Sequence, residues 1–455
     1  MAAKAKKKRR FLNIFEDLEG DKLVWIIVLL LMLISVLCMF SSTSRLLESG
    51  QSRIDVVKDQ LILVAFGIGI IILIYNIRNV AVLRWLSQFG FLLSFALLAA
   101  LDLKIDLGFI RSIEINGARR ILKVGPVQVH VFEVVKVAMI MYLAWAMDAL
   151  KRKKLRGPEK EIWKKILYIY APFVITFLMI IPGSNSSAVV IGGLMFLTII
   201  IGGGNLKDLG ILVAAGILMV GGSYGIYKLS DGRYLKRIGT GVSRIFDDED
   251  WEKMVMESRT GSHDYYVGLD KIRQPYSAKI AIHEGGFLGK GPGQSTQRYV
   301  VPDISEDYMY SFIIEEYGIL GGIVVLMLYL SLLARGSLIV RNCGGELFPK
   351  LAVAGLTMLI VLQAFLHMFV NCEIGPMTGQ TLPLISHGAS AFLCFCIAFG
   401  IILSISRYAS RRIKREQQQE APLVEREEIK HDLDILDEFE SGKDMESLMD
   451  QEDGI

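Results

Sequence analysis

The sequence predicts an all-α polytopic membrane protein with about ten transmembrane helices and a large extracytoplasmic loop between helices 7 and 8. Hydrophobic residues make up 52% of the 455 residues and charged residues only 21%, which is a membrane-protein composition. The apolar residues come in long blocks, and a helix needs about 20 of them to cross the hydrocarbon core. Lys and Arg gather in alternate connections between these blocks, as expected of a chain that crosses a membrane repeatedly.

Ten apolar blocks predict the individual spans. They lie near residues 23–42, 60–76, 80–102, 129–149, 164–181, 188–204, 208–228, 308–334, 350–373 and 387–406. The chain then divides into a basic N-terminus over residues 1–22, a membrane domain over 23–410 and an acidic tail over 411–455. The tail is also poor in aromatic residues, so we expect it to be disordered.

The distribution of basic residues predicts the orientation. The runs 4–10, 151–156 and 407–415 are strongly basic, and they fall on one side of the membrane if ten spans alternate. Short loops rich in Lys and Arg stay in the cytoplasm. We therefore expect both termini to be cytoplasmic and the long segment 229–307 to be the extracytoplasmic loop, solvated and partly helical.

Two familiar kinds of site are excluded by spacing. The five cysteines lie in or beside apolar runs without a second pair or histidines at metal-ligand spacing, so neither a disulfide framework nor a zinc site is predicted. The glycine-rich stretch around Gly289 has Glu284 where a phosphate-binding loop needs its first glycine, and Gly291 follows Lys290. We therefore predict no ATP site there.

The outward segment 103–128 departs from the orientation rule because it is basic. Its cations are Arg111, Arg119, Arg120 and Lys123. Guanidinium groups at an outer interface suit pyrophosphate and other anionic head groups, whose oxygens Arg can bind with two hydrogen bonds. The alternative is that these cations only snorkel or pair with Asp106 and Glu114.

Glu133 and Lys136 lie three residues apart inside a predicted span and therefore share a helical face. Ionisable groups at membrane depth are costly and usually face a bundle interior or a wet cavity. Two interpretations stay open at this point. The residues either form a structural ion pair or line a ligand site.

Asp307 stands where the long glycine-rich loop meets the next apolar span. Partial burial at such a junction favours a carboxylate that can accept a proton, as a general base does. The alternative is an aspartate that caps the N-terminus of the following helix. Downstream, Gly and Pro interrupt the apolar pattern of 371–393, and such a break is tolerated in a membrane only inside protein or beside a cavity. This segment is predicted to form part of an outward-open site with Thr378, Ser386 and His387.

Several ordered motifs resemble those of one family. NGARRI (116–121) is similar to an NGA-x-RW element, and Glu133 with Lys136 matches the acid and base of a PSE-x-x-K element. PGQSTQRYVVPDISEDYMYSFIIEEYG (292–318) resembles a G-x-S-x-Q…LPE-x-x-x-DFIFA-x-x-x-EE-x-G block, and PMTGQTLPLISHGAS (376–390) resembles PVTG-x-x-LPFISYGGSS. Together these motifs resemble the SEDS family of cell-division and elongation proteins, the FtsW/RodA/SpoVE family.

The resemblance implies a peptidoglycan glycosyltransferase of the bacterial inner membrane that joins lipid II units through β-1,4 bonds. It also implies a class B penicillin-binding protein as transpeptidase partner, other division-complex membrane proteins as partners, and no nucleic acid. Carried over by position, Asp307 would be the catalytic carboxylate and a ligand of a divalent cation, Mg or Mn. The residues expected to bind substrate are Arg119, Arg120, Glu133, Lys136, Ser295, Gln297, Thr378, Ser386 and His387.

The basic N-terminus, the GQTLPLIS variant and the long tail are more similar to the division members of the family than to the elongation members. That similarity implies a role at the division septum. PGSNSSA (182–188) departs from the common PDLGTA and lacks its aspartate. The alternatives are an elongation polymerase, a lipid II flippase, or a non-catalytic scaffold for the penicillin-binding protein.

Overall fold

The computed structural model describes most of the membrane domain. The described residues are 19–42, 53–115, 118–125, 127–205, 251–260, 262–301, 304–375 and 378–417, with six single positions from 210 to 229. The helices are α1 Lys22–Ser42, α2 Arg53–Tyr75, α3 Val80–Asp102, α4 Val131–Lys151, α5 Glu161–Lys165, α6 Ala171–Ile180, α7 Asn185–Ile201, α8 Trp251–Glu257, α9 His263–Gly285, α10 Met309–Asn342, α11 Leu347–Asn371 and α12 Ala389–Gln417. A π-helical turn, Ile166–Tyr170, joins α5 to α6 as one continuous apolar helix.

The predicted fold class is confirmed. Within the described residues, seven helices are long and apolar enough to cross a membrane: α1, α2, α3, the joined α5–α6, α10, α11 and α12. Two further predicted spans correspond to α4, which carries several charged residues, and to α7, which is shorter. The span predicted at 208–228 lies almost entirely outside the described residues, as do residues 1–18 and the tail beyond Gln417.

The helices differ in how much of their surface is buried by protein. Most side chains of α4 and α11 are buried, and α4 packs against α3, α7 and α11. By contrast, α2 and α3 expose large apolar side chains such as Phe66, Trp85 and Leu92. A helix that is apolar on every side suits either a protein core or lipid. We infer that α4 and α11 form the bundle centre and that α2 and α3 face lipid.

A small antiparallel sheet lies mostly within 103–128, the basic segment that the sequence predicts to face outward. Its strands are β1 Ile110–Ile115, β2 Ala118–Val124 and β3 Val127–His130, in the order β1-β2-β3. A register shift between Ile113 and Glu114 places Glu114 opposite Arg119. The predicted span at 129–149 therefore begins in a strand, and the helix proper starts at Val131.

The predicted extracytoplasmic segment contains helices, as expected. Its two described helices are α8 and α9, and α9 packs along α10. Ser262 begins α9, since its hydroxyl accepts a hydrogen bond of 3.2 Å from the amide of Tyr265. The glycine-rich stretch then returns from the end of α9 to the start of α10.

Candidate functional site

Asp307 lies in a short loop immediately before α10 and is partly buried. Its carbonyl oxygen accepts a hydrogen bond of 3.0 Å from Nδ2 of Asn371, the last residue of α11. Oδ1 of Asn371 accepts from the amide of Ser311 at 2.9 Å, so this one amide side chain holds both the loop and the first turn of α10. The residue at the N-cap position of α10 is Tyr308 rather than Asp307.

A second loop, residues 378–388, is joined to the Asp307 loop. The hydroxyl of Ser386 donates to the carbonyl of Glu306 at 2.8 Å and accepts from the amide of Leu382 at 2.9 Å. The amide of His387 donates to the carbonyl of Ser305 at 2.8 Å. Ser386 therefore fixes the position of the loop that carries Asp307, since both of its hydrogen bonds are to main chain.

Gly379 brings the second loop beside the Asp307 side chain. A Cβ atom built on Gly379 would lie 3.8 Å from Oδ2 of Asp307, and the φ angle of Gly379 is +60°. That backbone conformation is costly for a residue with a side chain. The loop that contains the family motif at 376–390 thus passes directly next to the predicted catalytic carboxylate.

Lys136 is the centre of a buried polar cluster between α4, α11 and the 378–388 loop. Its ammonium group donates to Glu133 Oε1 at 2.7 Å and to the side-chain oxygens of Gln363 and Gln380, both at 2.8 Å. Lys136 is only 1% exposed, and these contacts use all three of its donors. Glu133 and Lys136 therefore form an ion pair that two glutamines extend, and their substrate-binding role stays a prediction.

A hydrogen-bonded path connects this cluster with the Asp307 loop. Nδ1 of His367 lies 2.7 Å from the carbonyl of Gln380, and Nε2 of His367 accepts from the amide of Tyr310 at 3.3 Å. An accepting Nε2 assigns the proton to Nδ1, which then donates to Gln380. His367 thus joins the residue that contacts Lys136 to the first turn of α10, close to Asp307.

The basic hairpin separates the two predicted arginines. A register shift leaves Arg120 with no residue opposite it in β1, so the regular alternation of side chains is interrupted there, and the two arginines are distinguished by what they contact. Arg119 pairs with Glu114 at 2.9 Å, whereas Nε of Arg120 donates to the carbonyl of Gly183 at 3.1 Å. The pairing alternative holds for Arg119. Arg120 lies against the turn that precedes α7.

That turn leads back to the second loop. Oγ of Ser186 donates to the carbonyl of Thr378 at 3.0 Å. Two predicted site residues in the loop carry buried polar atoms without a hydrogen-bond partner: Oγ1 of Thr378 and Nδ1 of His387. Buried polar atoms are nearly always satisfied, so these two are suited to contact a bound ligand.

Ser295 and Gln297 lie elsewhere, around the fully buried carboxylate of Glu315. This carboxylate accepts from Lys290 Nζ at 2.8 Å, from the amide of Thr296 at 2.8 Å and from the hydroxyl of Ser295. The amide of Gln297 also donates to it, at 3.3 Å. Ser295 is therefore committed to a structural contact, and the substrate-binding role of both residues stays a prediction.

Glu316 holds the same glycine-rich stretch from the other side. Its Oε1 atom accepts from the amide of Gly293 at 3.1 Å and from the hydroxyl of Ser41 in α1. A break in α10 at Gly318, with φ of +71°, lets the stretch approach, and a Cβ there would collide with the carbonyl of Phe287. We call Glu315, Glu316 and the stretch 290–297 the Glu315–Glu316 cluster.

The described residues contain no group of three His, Cys, Asp or Glu side chains that would hold a metal ion. A cation at Asp307 would have to take most of its ligands from water and from substrate phosphates, as Mg²⁺ commonly does. The metal-binding role of Asp307 stays a prediction on this basis.

Sequence reasoning missed three important residues of α11. Gln363, His367 and Asn371 are spaced by four and therefore follow one helical face through an otherwise apolar span. Polar side chains at membrane depth usually face the bundle interior. This four-residue spacing of polar side chains is the sequence pattern that could have identified them.

Together, the fold and this arrangement define a polytopic helical membrane protein whose polar groups meet where α10, α11 and α12 begin or end. A family model described as "Cell cycle protein", covering FtsW, RodA and SpoVE, matches residues 21–411. The chain belongs to the FtsW/RodA/SpoVE family.

Similar proteins cover nearly the whole chain. It is 28% identical to the stage V sporulation protein E of Bacillus subtilis over 391 residues, 86% of this chain and 97% of that protein. It is 25% identical over 424 residues to the probable peptidoglycan glycosyltransferase FtsW of Enterococcus hirae, covering 90% of this chain and 97% of that one.

Two solved structures share the fold. The rod shape determining protein RodA of Thermus thermophilus superposes with a TM-score of 0.53 at 20% identity, over 86% of this chain and 98% of that one. A chain from a study of polymerization and crosslinking by a peptidoglycan synthase complex gives a TM-score of 0.61 at 19% identity, over 86% and 98%.

Proposed function

We propose that this protein is a peptidoglycan glycosyltransferase that polymerises lipid II on the outer face of a bacterial cytoplasmic membrane. The observation that carries the proposal is the position of Asp307. It is partly exposed, its loop is fixed through Asn371 and Ser386, and Gly379 adjoins its carboxylate. Family membership and relatives named as probable peptidoglycan glycosyltransferases support the same reaction.

In the proposed reaction, a hydroxyl of the acceptor sugar attacks the anomeric carbon of the donor. The bond between that carbon and the pyrophosphate oxygen breaks, and lipid pyrophosphate leaves. The carboxylate of Asp307 accepts the hydroxyl proton as general base, a role that commonly contributes about 10² to 10⁴-fold to the rate. Arg120 contacts Gly183 in the turn before α7, and Ser186 at the start of α7 bonds to Thr378 in the loop beside Asp307. Its guanidinium group is suited to the negative charge that develops on the leaving pyrophosphate.

A divalent cation, Mg or Mn, belongs to this proposal as a cofactor held by Asp307 together with substrate phosphates. Its charge would offset the charge of the leaving pyrophosphate.

We further propose cytoplasmic termini, a role at the division septum, and a class B penicillin-binding protein and other division proteins as partners. The concentration of Lys and Arg in alternate connections supports the orientation. Relatives named FtsW support division, and the similarity to a chain of a synthase complex that coordinates polymerization and crosslinking supports the transpeptidase partner.

The direct test uses the full-length protein, purified in detergent and supplied with fluorescent lipid II, with and without a class B penicillin-binding protein. We expect glycan polymers on gels in at least the paired reaction, with the penicillin-binding protein's own active site inactivated. Translocation of lipid II across vesicles without any polymer would instead indicate a flippase. Normal recruitment of the partner without polymer would indicate a scaffold.

A further inference from the structure

A cavity of about 210 Å³ lies far from Asp307, between the α2–α3 turn and the last turns of α12. Five of its lining residues are arginines: Arg78, Arg407, Arg411, Arg412 and Arg415. Arg407 is 18 residues after Ala389, where α12 begins beside the Asp307 loop, and a helix rises about 1.5 Å per residue. The cavity is therefore at the opposite end of the bundle, roughly 27 Å away along the helix.

Carboxylates neutralise only part of this charge. Glu19 accepts from Nε of Arg407 at 2.9 Å and from Nε of Arg411 at 2.6 Å, and Glu416 accepts from Nε of Arg412 at 2.7 Å. The hydrogen bond from Arg407 is the main reason that the pKa of Glu19 lies below its usual range, so this carboxylate is already ionised and committed. Two carboxylates thus pair with lining arginines, which leaves an excess of positive charge.

Three arginines of the cavity have unused binding capacity. Among the described residues, neither Arg78 nor Arg415 forms an ion pair with a carboxylate. The Nη1 atom of Arg407 is buried and has no hydrogen-bond partner. A buried guanidinium nitrogen without an acceptor is costly, so an anion that supplied oxygens here would be bound favourably.

The surroundings indicate which anion fits. Arginine binds phosphate with two parallel hydrogen bonds more readily than lysine does, and the cavity contains only arginine as its cation. One turn before the cavity, α2 exposes the apolar side chains of Ile72 and Leu73, the second of which is 68% exposed. A ligand with both a phosphate and an acyl chain would use the arginines and this apolar surface together.

We propose that this cavity binds the phosphate group of an anionic membrane lipid. The arginines would hold the phosphodiester, and the acyl chains would lie along α2. Basic residues at a cytoplasmic membrane surface attract anionic lipids generally. The specific claim is a defined site, formed by the α2–α3 turn and the end of α12, rather than a diffuse attraction.

The test titrates the full-length protein in neutral detergent with dioctanoyl phosphatidylglycerol, dioctanoyl phosphatidylcholine and inorganic phosphate, and follows binding by the rise in melting temperature. We expect phosphatidylglycerol to bind most tightly. The double variant Arg78→Gln/Arg415→Gln should weaken that binding about tenfold or more, because two charge-assisted contacts are lost. Both residues are exposed and outside the ion pairs, so the melting temperature without lipid should not change.

The matched control is Arg341→Gln, an exposed arginine in the last turn of α10 that does not line the cavity. It should leave the affinity for phosphatidylglycerol unchanged. Equal loss in the control, or equal binding of phosphatidylcholine, would overturn the proposal of a defined site for an anionic lipid. Inorganic phosphate that bound as tightly as phosphatidylglycerol would show that the phosphate source is not a lipid.

Discussion

Two acidic regions lie only eight residues apart, at the start of α10, and differ in what surrounds them. Glu315 and Glu316 are 0% and 1% exposed, and the glycine-rich stretch donates hydrogen bonds to both. Asp307 is partly exposed, and the bond from Asn371 goes to its main-chain carbonyl. The family block contains all three acids. Burial and hydrogen bonds indicate a structural role for the two glutamates, whereas Asp307 is the residue for which we propose a chemical role.

The largest effect on stability is expected from Glu315→Ala. The change leaves the amides of Thr296 and Gln297 without their acceptor and removes the buried partner of Lys290, which keeps Glu284. Each unsatisfied donor costs about 1–3 kcal/mol, so we expect a total loss of about 3–5 kcal/mol. Thermal unfolding of the purified protein measures it. The control is Glu284→Ala, which removes the exposed partner of the same lysine and should cost less than about 1 kcal/mol. A similar loss of stability in both variants would contradict the structural role of the buried Glu315 carboxylate.

Lys136→Met tests the ion pair at the centre of the buried polar cluster, and thermal unfolding of the purified protein measures it. It strands the charge of Glu133 and the oxygens of Gln363 and Gln380, so we expect a loss of roughly 3 kcal/mol or more of stability. Adding Glu133→Gln removes the stranded charge and should restore part of that loss. A double variant no more stable than the single one would contradict the ion-pair account.

The helices were predictable from the sequence because the length of an apolar block reports whether it can cross a membrane. The sheet was missed, although the signals existed. Val127, Gln128, Val129 and His130 alternate in polarity, and Asn116-Gly117 is a common hairpin turn sequence. The four-residue alternation is short, and the charged residues around it do not follow the same period of two.

The site was only partly predictable. Local motifs marked Asp307, Lys136 and Ser386, but their partners come from distant parts of the chain. Gln363, for example, is 227 residues from Lys136, and no local periodicity fixes which residues of two helices meet. The different partners of Arg119 and Arg120 could not be predicted either, because they depend on a strand that was not expected.

The two arginines of β2 provide a smaller and sharper comparison within the Asp307 region. Arg120→Ala should reduce kcat/KM for lipid II by the equivalent of about 1–3 kcal/mol, because a charge-assisted contact to pyrophosphate is lost. Arg119 is already paired with Glu114, so Arg119→Ala should cost less than about 1 kcal/mol. Initial rates at several lipid II concentrations measure both. A larger loss from Arg119→Ala than from Arg120→Ala would show that Arg119 is the arginine that contacts the substrate.

The smallest expected effect is the pH dependence of stability from Glu284, which pairs with Lys290 of the Glu315–Glu316 cluster. The hydrogen bond from Lys290 holds the pKa of Glu284 below its usual range. Stability from this group is therefore present above the carboxyl pKa of the unfolded chain and is lost as pH falls through the lower folded value. Since the pair is exposed, the difference in melting temperature between wild type and Glu284→Gln should be small at neutral pH and vanish at low pH. A difference that grew on acidification would contradict this assignment.

The central claim is that Asp307 performs chemistry while the buried glutamates provide stability. Its most direct test measures glycan polymer from fluorescent lipid II for Asp307→Asn at matched protein levels, alongside the exposed neighbour variant Glu306→Gln. Asp307→Asn should lower polymer formation about 10² to 10⁴-fold, because a general base is lost. Its melting temperature should stay near that of wild type, and Glu306→Gln should remain active. Abundant polymer from a well-folded Asp307→Asn protein would contradict the account.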